Sequence, residues 1–403
     1  MTIKVSGEKL FFGAYFIYLF LGILSTSFYL EYLEGTVSRI LISMCILILV
    51  AKESICSKVT TKMLVGLVVG VVFVLFIIFS ANGLGYNSPI YMMIFIFAGR
   101  NIDFKKKAKF TIVWSSILLL FIILSSVVGV IPNYTISAQK GNMSYLGFRY
   151  SLYPATLLSN CIMLYLYIKS KKIKYFEIIG LIIVNYVMYA LTISRLIYYF
   201  TTLILLYTLV KKLTNDIVKV PHKICLGLVF SYIVSFAFSF FTTLTYNNQS
   251  ILSQVVNYLT EGRLKLQYQI ITHYGLGLLG KKIIWRGSAL DASGKRGNGI
   301  YFYVDSMYLN ITLMYGMIIT LGFIIAITYS MYIAYKKNDD MLIILLSILA
   351  VHGIVDDLVQ YLYYNTFLFI LTSIYKKKEY TYVTNKSLKI EERLNQVWKS
   401  KTL

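Results

Sequence analysis

The run "LVGLVVGVVFVLFIIFS", residues 64–80, carries no charge and no alternation of apolar and polar positions. A segment that is apolar on every face lies either in a protein core or in lipid, and the missing period of two excludes a strand of an outer-membrane barrel. Comparable runs recur along almost the whole chain, separated mainly by short lysine clusters. Of 403 residues, 58% are hydrophobic and only 14% charged, and the mean hydropathy is +0.70. A soluble protein of this size has too much surface to cover for such a composition. The chain therefore reads as all-α, a polytopic membrane helical bundle over 1–375 followed by a basic tail over 376–403.

The apolar runs predict about twelve transmembrane helices, at roughly 10–30, 36–51, 63–80, 88–99, 110–131, 151–168, 175–191, 195–210, 224–245, 305–334, 341–355 and 358–375. Several fall short of the roughly 20 residues that cross a bilayer as a straight helix, so these are expected to tilt, break or be shielded by neighbours. The first run lacks a small-residue cleavage signature, which predicts a retained helix rather than a signal peptide.

Basic residues set the orientation. From a cytoplasmic N-terminus with Lys4 and Lys9, the internal connections carry Lys52, Lys58 and Lys62, then Arg100 to Lys109, Lys169 to Lys174, Lys211 to Lys223, and Lys336 with Lys337. Together with the tail, these hold 28 of the 39 basic residues on one side, as the positive-inside rule asks. Both termini are thus expected in the cytoplasm, and residues 246–304 become one large external loop packed on the bundle. The tail is either a solvated basic segment or a short amphipathic helix on the inner surface.

The net charge of +22 follows the connections, so its meaning is topological and no nucleic-acid partner is expected. Cys45, Cys56, Cys161 and Cys225 are scattered outside the large loop, which argues against a disulfide framework or a CxxC metal site. Glycines 275, 277 and 280 of "GLGLLG" do not follow a cytosolic strand, so they point to a turn or a close helix approach, not to a dinucleotide loop. No cofactor is expected.

Positive charge on the external side runs against the topology. Arg149 in "YLGFRYSLYPATLLSN" and Arg195 in "YALTISRLIYYF" stand against apolar spans, and Arg263 lies in the large loop. The plain reading has the first two snorkelling to the interface and the third solvated. The functional reading turns the three guanidinium forks toward one vestibule, where they hold a phosphate or carboxylate. On a helix Arg263 shares a face with Gln267.

Asp305, which opens "VDSMYLNITLMYG", either caps the next helix or belongs to the same site. In "VHGIVDDLVQYLYYN", His352 and Asp356 stand four apart with Asp357 adjacent. That pair suits acid–base work, cation binding or polar pairing between helices, and two ligands are too few for a metal site. Tyr150 and Tyr153 beside Arg149 are either interfacial anchors or platforms for a sugar ring.

The order "GFRYSLYP", "LTISRLIYYF", a long loop with "LTEGRLKLQYQIITHYGLGLLGKK", then "VDSMYLNITLMYG" resembles the Wzy-type bacterial polysaccharide polymerases, within the wider grouping of O-antigen ligases and polymerases. The resemblance covers the fifth to twelfth helices best. Arg149 matches the family's arginine before a proline turn, Arg195 its "T-x-SR" arginine, Arg263 its loop "GR" and Asp305 its "D-x-x-Y" aspartate. Here "YPAT" stands where many relatives read closer to "HPN", so no role for a histidine at that turn carries over.

The resemblance implies joining of polyprenyl-diphosphate-linked repeat units at the outer face of a bacterial cytoplasmic membrane, for a capsule, exopolysaccharide or O-antigen. Its partners would be a lipid-linked donor and acceptor, membrane lipid, a chain-length regulator and a repeat-unit flippase. The arginines would stabilise the departing diphosphate, with Asp305, His352 or Asp356 as candidate bases. Two alternatives remain. One is an O-antigen ligase, which passes a finished glycan to another acceptor. The other is a secondary transporter of an anionic or lipid-linked solute, which calls for charges or breaks near the midplane and repeated halves.

Overall fold

Leu, Ile, Phe and Met form helices readily, and without water each membrane segment must satisfy its own backbone. The computed structural model describes residues 6–56, 61–79, 88–138, 141–215, 217–218, 220–296 and 301–375, and these are mostly helical. In chain order they form α1 (Gly7–Leu24), α2 (Leu30–Leu33), α3 (Thr36–Cys56), α4 (Thr61–Phe79), α5 (Ser88–Ala98) and α6 (Phe104–Val127). An antiparallel hairpin follows, β1 (Thr135–Ala138) with β2 (Gly141–Ser144), in the register Thr135 to Ser144. Next come α7 (Leu152–Lys169), α8 (Tyr175–Thr192), α9 (Arg195–Leu213), α10 (His222–Leu228) and α11 (Ser231–Leu244). The chain continues through α12 (Ile251–Leu259), α13 (Arg263–Tyr274), α14 (Met307–Tyr315), α15 (Met317–Lys336) and α16 (Asp340–His352). The basic tail 376–403, with Lys58, Lys140 and Lys219, lies outside the described residues.

Among the described residues, five helices are long and apolar enough to cross a membrane: α1, α6, α8, α9 and α15. The pair α10–α11, bent by 41°, makes a sixth if it is one span. On α4, Leu64, Val68, Val71 and Phe79 are exposed, as are Leu47 and Val50 on α3 and Leu120 and Leu124 on α6. Apolar surface of that extent belongs in lipid. The protein is membrane-embedded.

α1 packs on α3 and α6, with Phe11, Tyr15 and Leu19 fully buried. Its buried polar neighbours pair across helices. Tyr15 and Thr111 hydroxyls meet at 2.8 Å, those of Ser159 and Thr201 at 2.7 Å, and the Asn160 amide donates to Thr366 Oγ1 at 3.0 Å while accepting from the Thr366 N–H at 3.2 Å. Bonds of this kind in membrane bundles contribute about 0.6 kcal/mol each on average. Cys45, Cys161 and Cys225 are free and buried.

The expected spans differ from the structure in three places. The 224–245 segment bends between α10 and α11. The 305–334 segment breaks at Gly316 (φ +92°) into α14 and α15. The 358–375 segment is not an α-helix but two stretches of 3₁₀ helix, Leu358–Gln360 and Thr366–Tyr375. Local side chains compete with the α ladder there: Asp356 Oδ1 accepts from the Leu358 N–H at 2.9 Å, and Asn365 Nδ2 donates to the Val359 carbonyl at 2.7 Å. Within 246–304, expected as a loop with a helical stretch at Arg263, the chain forms two helices, α12 and α13.

The Gly316 break is filled by that same segment. The Met317 N–H donates to the Gly277 carbonyl at 3.0 Å, and the Lys281 N–H to the Leu313 carbonyl at 2.9 Å. A Cβ on Gly280 would lie 2.0 Å from the Met314 carbonyl oxygen, and one on Gly316 2.2 Å from that of Leu278. The glycines thus serve a close approach, and helix-end backbone groups find partners without water.

Contacts also define two ends of the bundle. At the basic end Lys106 pairs with Glu8 at 2.8 Å, Arg100 grips both Glu53 oxygens at 3.0 and 2.7 Å, and His222 meets Asp340 at 2.8 Å. Lys52, Arg100 and the fully buried Lys107 donate to the carbonyls of Ala98, Phe97 and Gly99, so three cations cap the C-terminus of α5. The opposite end gathers the chain turns at Thr26, Arg149, Ser194, Arg263 and Val355.

Candidate active site

Gly262, at φ +85°, reverses the chain after α12 so that Arg263 opens α13. Its Nε stands 3.2 Å from Asp305 Oδ2, and its Nη1 donates to the Val355 carbonyl at 2.7 Å. Asp305 Oδ1 accepts from the Tyr301 hydroxyl at 2.8 Å. Three separate segments thus converge on one ion pair, whose side chains are 19% and 17% exposed. Asp305 is not the helix cap: Ser306 holds the N-cap position of α14. Burial raises the Asp305 pKa, opposed by the Arg263 charge and the Tyr301 hydrogen bond. Gln267 is buried and accepts from Thr243 at 3.2 Å, so it anchors α13 to α11.

α16 ends at His352, and the chain turns back through Gly353. Asp356 is therefore not on the same helix, yet its Oδ2 lies 3.0 Å from His352 Nε2. That contact lacks hydrogen-bond alignment, and His352 Nδ1 is also buried without a partner among the described residues. The ring packs against Phe200, centroids 5.2 Å apart. A buried imidazole left this poorly satisfied costs stability and marks a functional candidate. Next to it, Asp357 Oδ2 accepts from the Tyr303 hydroxyl at 2.5 Å and from Gln360 Nε2 at 3.3 Å. Burial first, and the Asp356 charge second, push the Asp357 pKa well above the ordinary carboxyl value.

The Arg149 peptide N–H donates to the Thr26 carbonyl at 3.0 Å, and its Nε to that of Leu290 at 2.7 Å. Leu290 answers with its own N–H to the Arg149 carbonyl at 2.7 Å. Arg149 therefore clips the 286–296 segment onto the bundle. Tyr150 meets Tyr153 edge-on at 5.5 Å, and Tyr153 stacks on Tyr364 at 5.9 Å. Burial pushes the Tyr150 phenol up to about 12, with the Arg263 charge opposing and Asp305 and Asp356 adding to it. Tyr150 thus stays a neutral phenol within reach of the Arg263 charge.

Arg195 opens α9 and is exposed. The Ser194 hydroxyl donates to the Ser151 carbonyl at 3.3 Å, which brings that turn beside residues 149–151. No contact among the described residues ties the Arg195 guanidinium to Arg149 or Arg263. The expected three-arginine cluster is therefore open: Arg263 is paired, Arg149 holds a loop and Arg195 faces outward.

Tyr301 and Tyr303 were missing from the sequence-based site, and Asp357 was noted only as the neighbour of Asp356. The signal for the tyrosines was present in "YFYVD", because residues two apart in extended chain share a side. Their hydroxyls reach Asp305 and Asp357 respectively. Among the described residues no group of three or more His, Cys, Asp or Glu side chains is placed to hold a metal ion. Comparison with protein-family models, curated proteins and solved structures returns no match for this chain.

Chemically, a largely buried guanidinium with five N–H groups is held by Asp305 and the Val355 carbonyl, and the turn that carries this carbonyl also carries Asp356 and Asp357 and follows His352. A guanidinium can stabilise negative charge that develops on an oxygen, and an imidazole beside a carboxyl group can take a proton from a hydroxyl.

Proposed function

We propose that the chain is a membrane glycosyltransferase that polymerises oligosaccharide repeat units carried on polyprenyl diphosphate, at the outer face of a bacterial cytoplasmic membrane. The bundle has about twelve crossings, both termini in the cytoplasm and 246–304 outside. The carrying observation is the Arg263–Asp305 pair, less than one-fifth exposed, held where α13, the 301–305 segment and the turn after α16 meet. It stands at the end of the bundle remote from the lysine-rich turns, which the positive-inside rule assigns to the cytoplasm.

The acceptor hydroxyl oxygen bonds to the anomeric carbon of the donor sugar while the bond from that carbon to the phosphate oxygen breaks. The electron pair leaves with the polyprenyl diphosphate. Arg263, with Arg149 and Arg195 at the rim, stabilises this charge; His352 with Asp356, or Asp305, takes the hydroxyl proton. Tyr150 and Tyr153 line the sugar path. The partners are lipid-linked donor and acceptor, membrane lipid, a chain-length regulator and a flippase.

The test is reconstitution in proteoliposomes with purified lipid-linked repeat units. A ladder of lengthened lipid-linked products supports the reading. Transfer of glycan only to a lipid A-type acceptor would mark a ligase, and movement of substrate across the bilayer without new bonds a transporter.

A further inference from the structure

A cavity of about 420 Å³ opens between α1, α3, α5 and the segment Tyr361–Tyr363. Its walls are largely apolar, with Leu21, Leu33, Ile42 and Phe95 among them, and its rim residues Glu34, Gly35 and Ile46 are exposed on the bundle surface. The volume falls within the roughly 300–1,000 Å³ of small-molecule sites. Apolar walls do not hold ordered water, so in a membrane such a space suits hydrocarbon.

Two features connect it to the acidic site. Ser25, on its lining, precedes Thr26, whose carbonyl accepts from the Arg149 N–H at 3.0 Å. The Tyr361–Tyr363 wall follows Asp356 and Asp357 in the chain, and a run of ring contacts leads onward: Tyr18 to Tyr363 at 6.0 Å, Tyr363 to Tyr364 at 4.7 Å, Tyr364 to Tyr153 at 5.9 Å and Tyr153 to Tyr150 at 5.5 Å. The cavity wall is fixed closely. A Cβ on Gly22 would lie 2.5 Å from the Tyr363 ring, so the ring lies directly against α1.

We infer that this cavity takes the first part of the isoprenoid chain of the lipid diphosphate, entering from the membrane beside α3, while the diphosphate reaches toward Arg263. The inference rests on the proposed substrate class and assigns its lipid a place. A hydrocarbon chain matches the apolar walls, and the lining residues Ser25, Tyr361 and Tyr363 adjoin in the chain the turns that carry Thr26 and Asp357.

The experiment uses the full chain in nanodiscs and a diazirine-bearing polyprenyl diphosphate without sugar, with labelled residues mapped by mass spectrometry. The expected label falls on the cavity walls in α1, α3, α5 and 361–363, and is displaced by unlabelled polyprenyl diphosphate but not by phosphatidylglycerol. Ser38 lies on the lining, and Ser38→Trp should cut the cavity label at least about tenfold. Label spread over the lipid-facing surfaces of α3 and α4, equal displacement by phosphatidylglycerol, or wild-type labelling in a folded Ser38→Trp protein would overturn the assignment. If Ser38→Trp does not fold, the wild-type map and its displacement decide. Cavity labelling in a protein that never lengthens glycan sinks the polymerase reading alone; lengthening with label elsewhere sinks the cavity alone.

Discussion

Removing the Arg263 guanidinium separates a structural from a catalytic role for it. In Arg263→Gln, Asp305 is left as a carboxylate 17% exposed, already raised in pKa by burial, with the Tyr301 hydroxyl still donating to it. Breaking a fully buried pair costs about 3–5 kcal/mol, and partial exposure here brings the expectation to about 2–4 kcal/mol. Asp305→Asn costs less, about 1–2 kcal/mol, because Arg263 keeps the Val355 carbonyl at 2.7 Å and the amide oxygen still accepts. In the double variant no charge is stranded, so stability falls by no more than about 1 kcal/mol from wild type, a coupling of about 2–6 kcal/mol. The assay is reversible unfolding in nanodiscs for all four proteins, with glycan lengthening per folded molecule measured alongside. Lengthening should stay at least about tenfold down, or 1.4 kcal/mol, in the double variant although its stability recovers. Wild-type lengthening there would reduce Arg263 to a structural clip, and coupling below about 0.5 kcal/mol would deny the pair its energetic role.

Asp305 and Asp357 have folded-state pKa values raised above about 3.9, so the folded state holds their protons longer; stability is full below about pH 4 and falls as pH rises through the raised values. Asp357→Asn should flatten that decline in a melting-temperature series, and an unchanged profile would refute it. Gly280→Ala and Gly316→Ala should each destabilise by about 1–3 kcal/mol, since the added Cβ meets backbone oxygen at 2.0 and 2.2 Å, whereas Gly287→Ala, with nothing within 4 Å, should be neutral. His352→Ala and Asp356→Asn should lower lengthening with donor binding kept, read as turnover against binding of labelled donor; full activity in both removes them from proton transfer. In a Cys56→Ser background, Ser288→Cys and Ser293→Cys should react with a membrane-impermeant maleimide in intact cells and Lys337→Cys should not; the opposite pattern inverts the bundle.

The membrane class was legible because apolar composition needs no tertiary knowledge. Helix continuity was less so. Gly316 is one glycine in an apolar run, and only the approach of Leu278 and Leu279 from far along the chain explains the break. The 358–375 segment carries the same apolar composition as a helix, but Asp356 and Asn365 turn its backbone locally. His352 and Asp356 were paired from a helical spacing that the chain does not adopt; they meet because the turn at Gly353 brings the carboxylate back. Arg263 was picked out because it opposed the charge rule and Asp305 was a candidate beside the reading of a helix cap, while their pairing was not legible because it depends on how the 301–305 segment returns to α13. Tyr301 and Tyr303 stayed hidden among 36 tyrosines, most of which fit interfacial anchoring as well.

The most direct measurement counts molecules: in proteoliposomes holding this protein alone and purified lipid-linked repeat units, glycosidic bonds formed are compared with polyprenyl diphosphate released. One diphosphate freed for every bond made, with Arg263→Lys slowing both together, is the predicted result. Release without bond formation, or no release while substrate disappears across the bilayer, would contradict the polymerase.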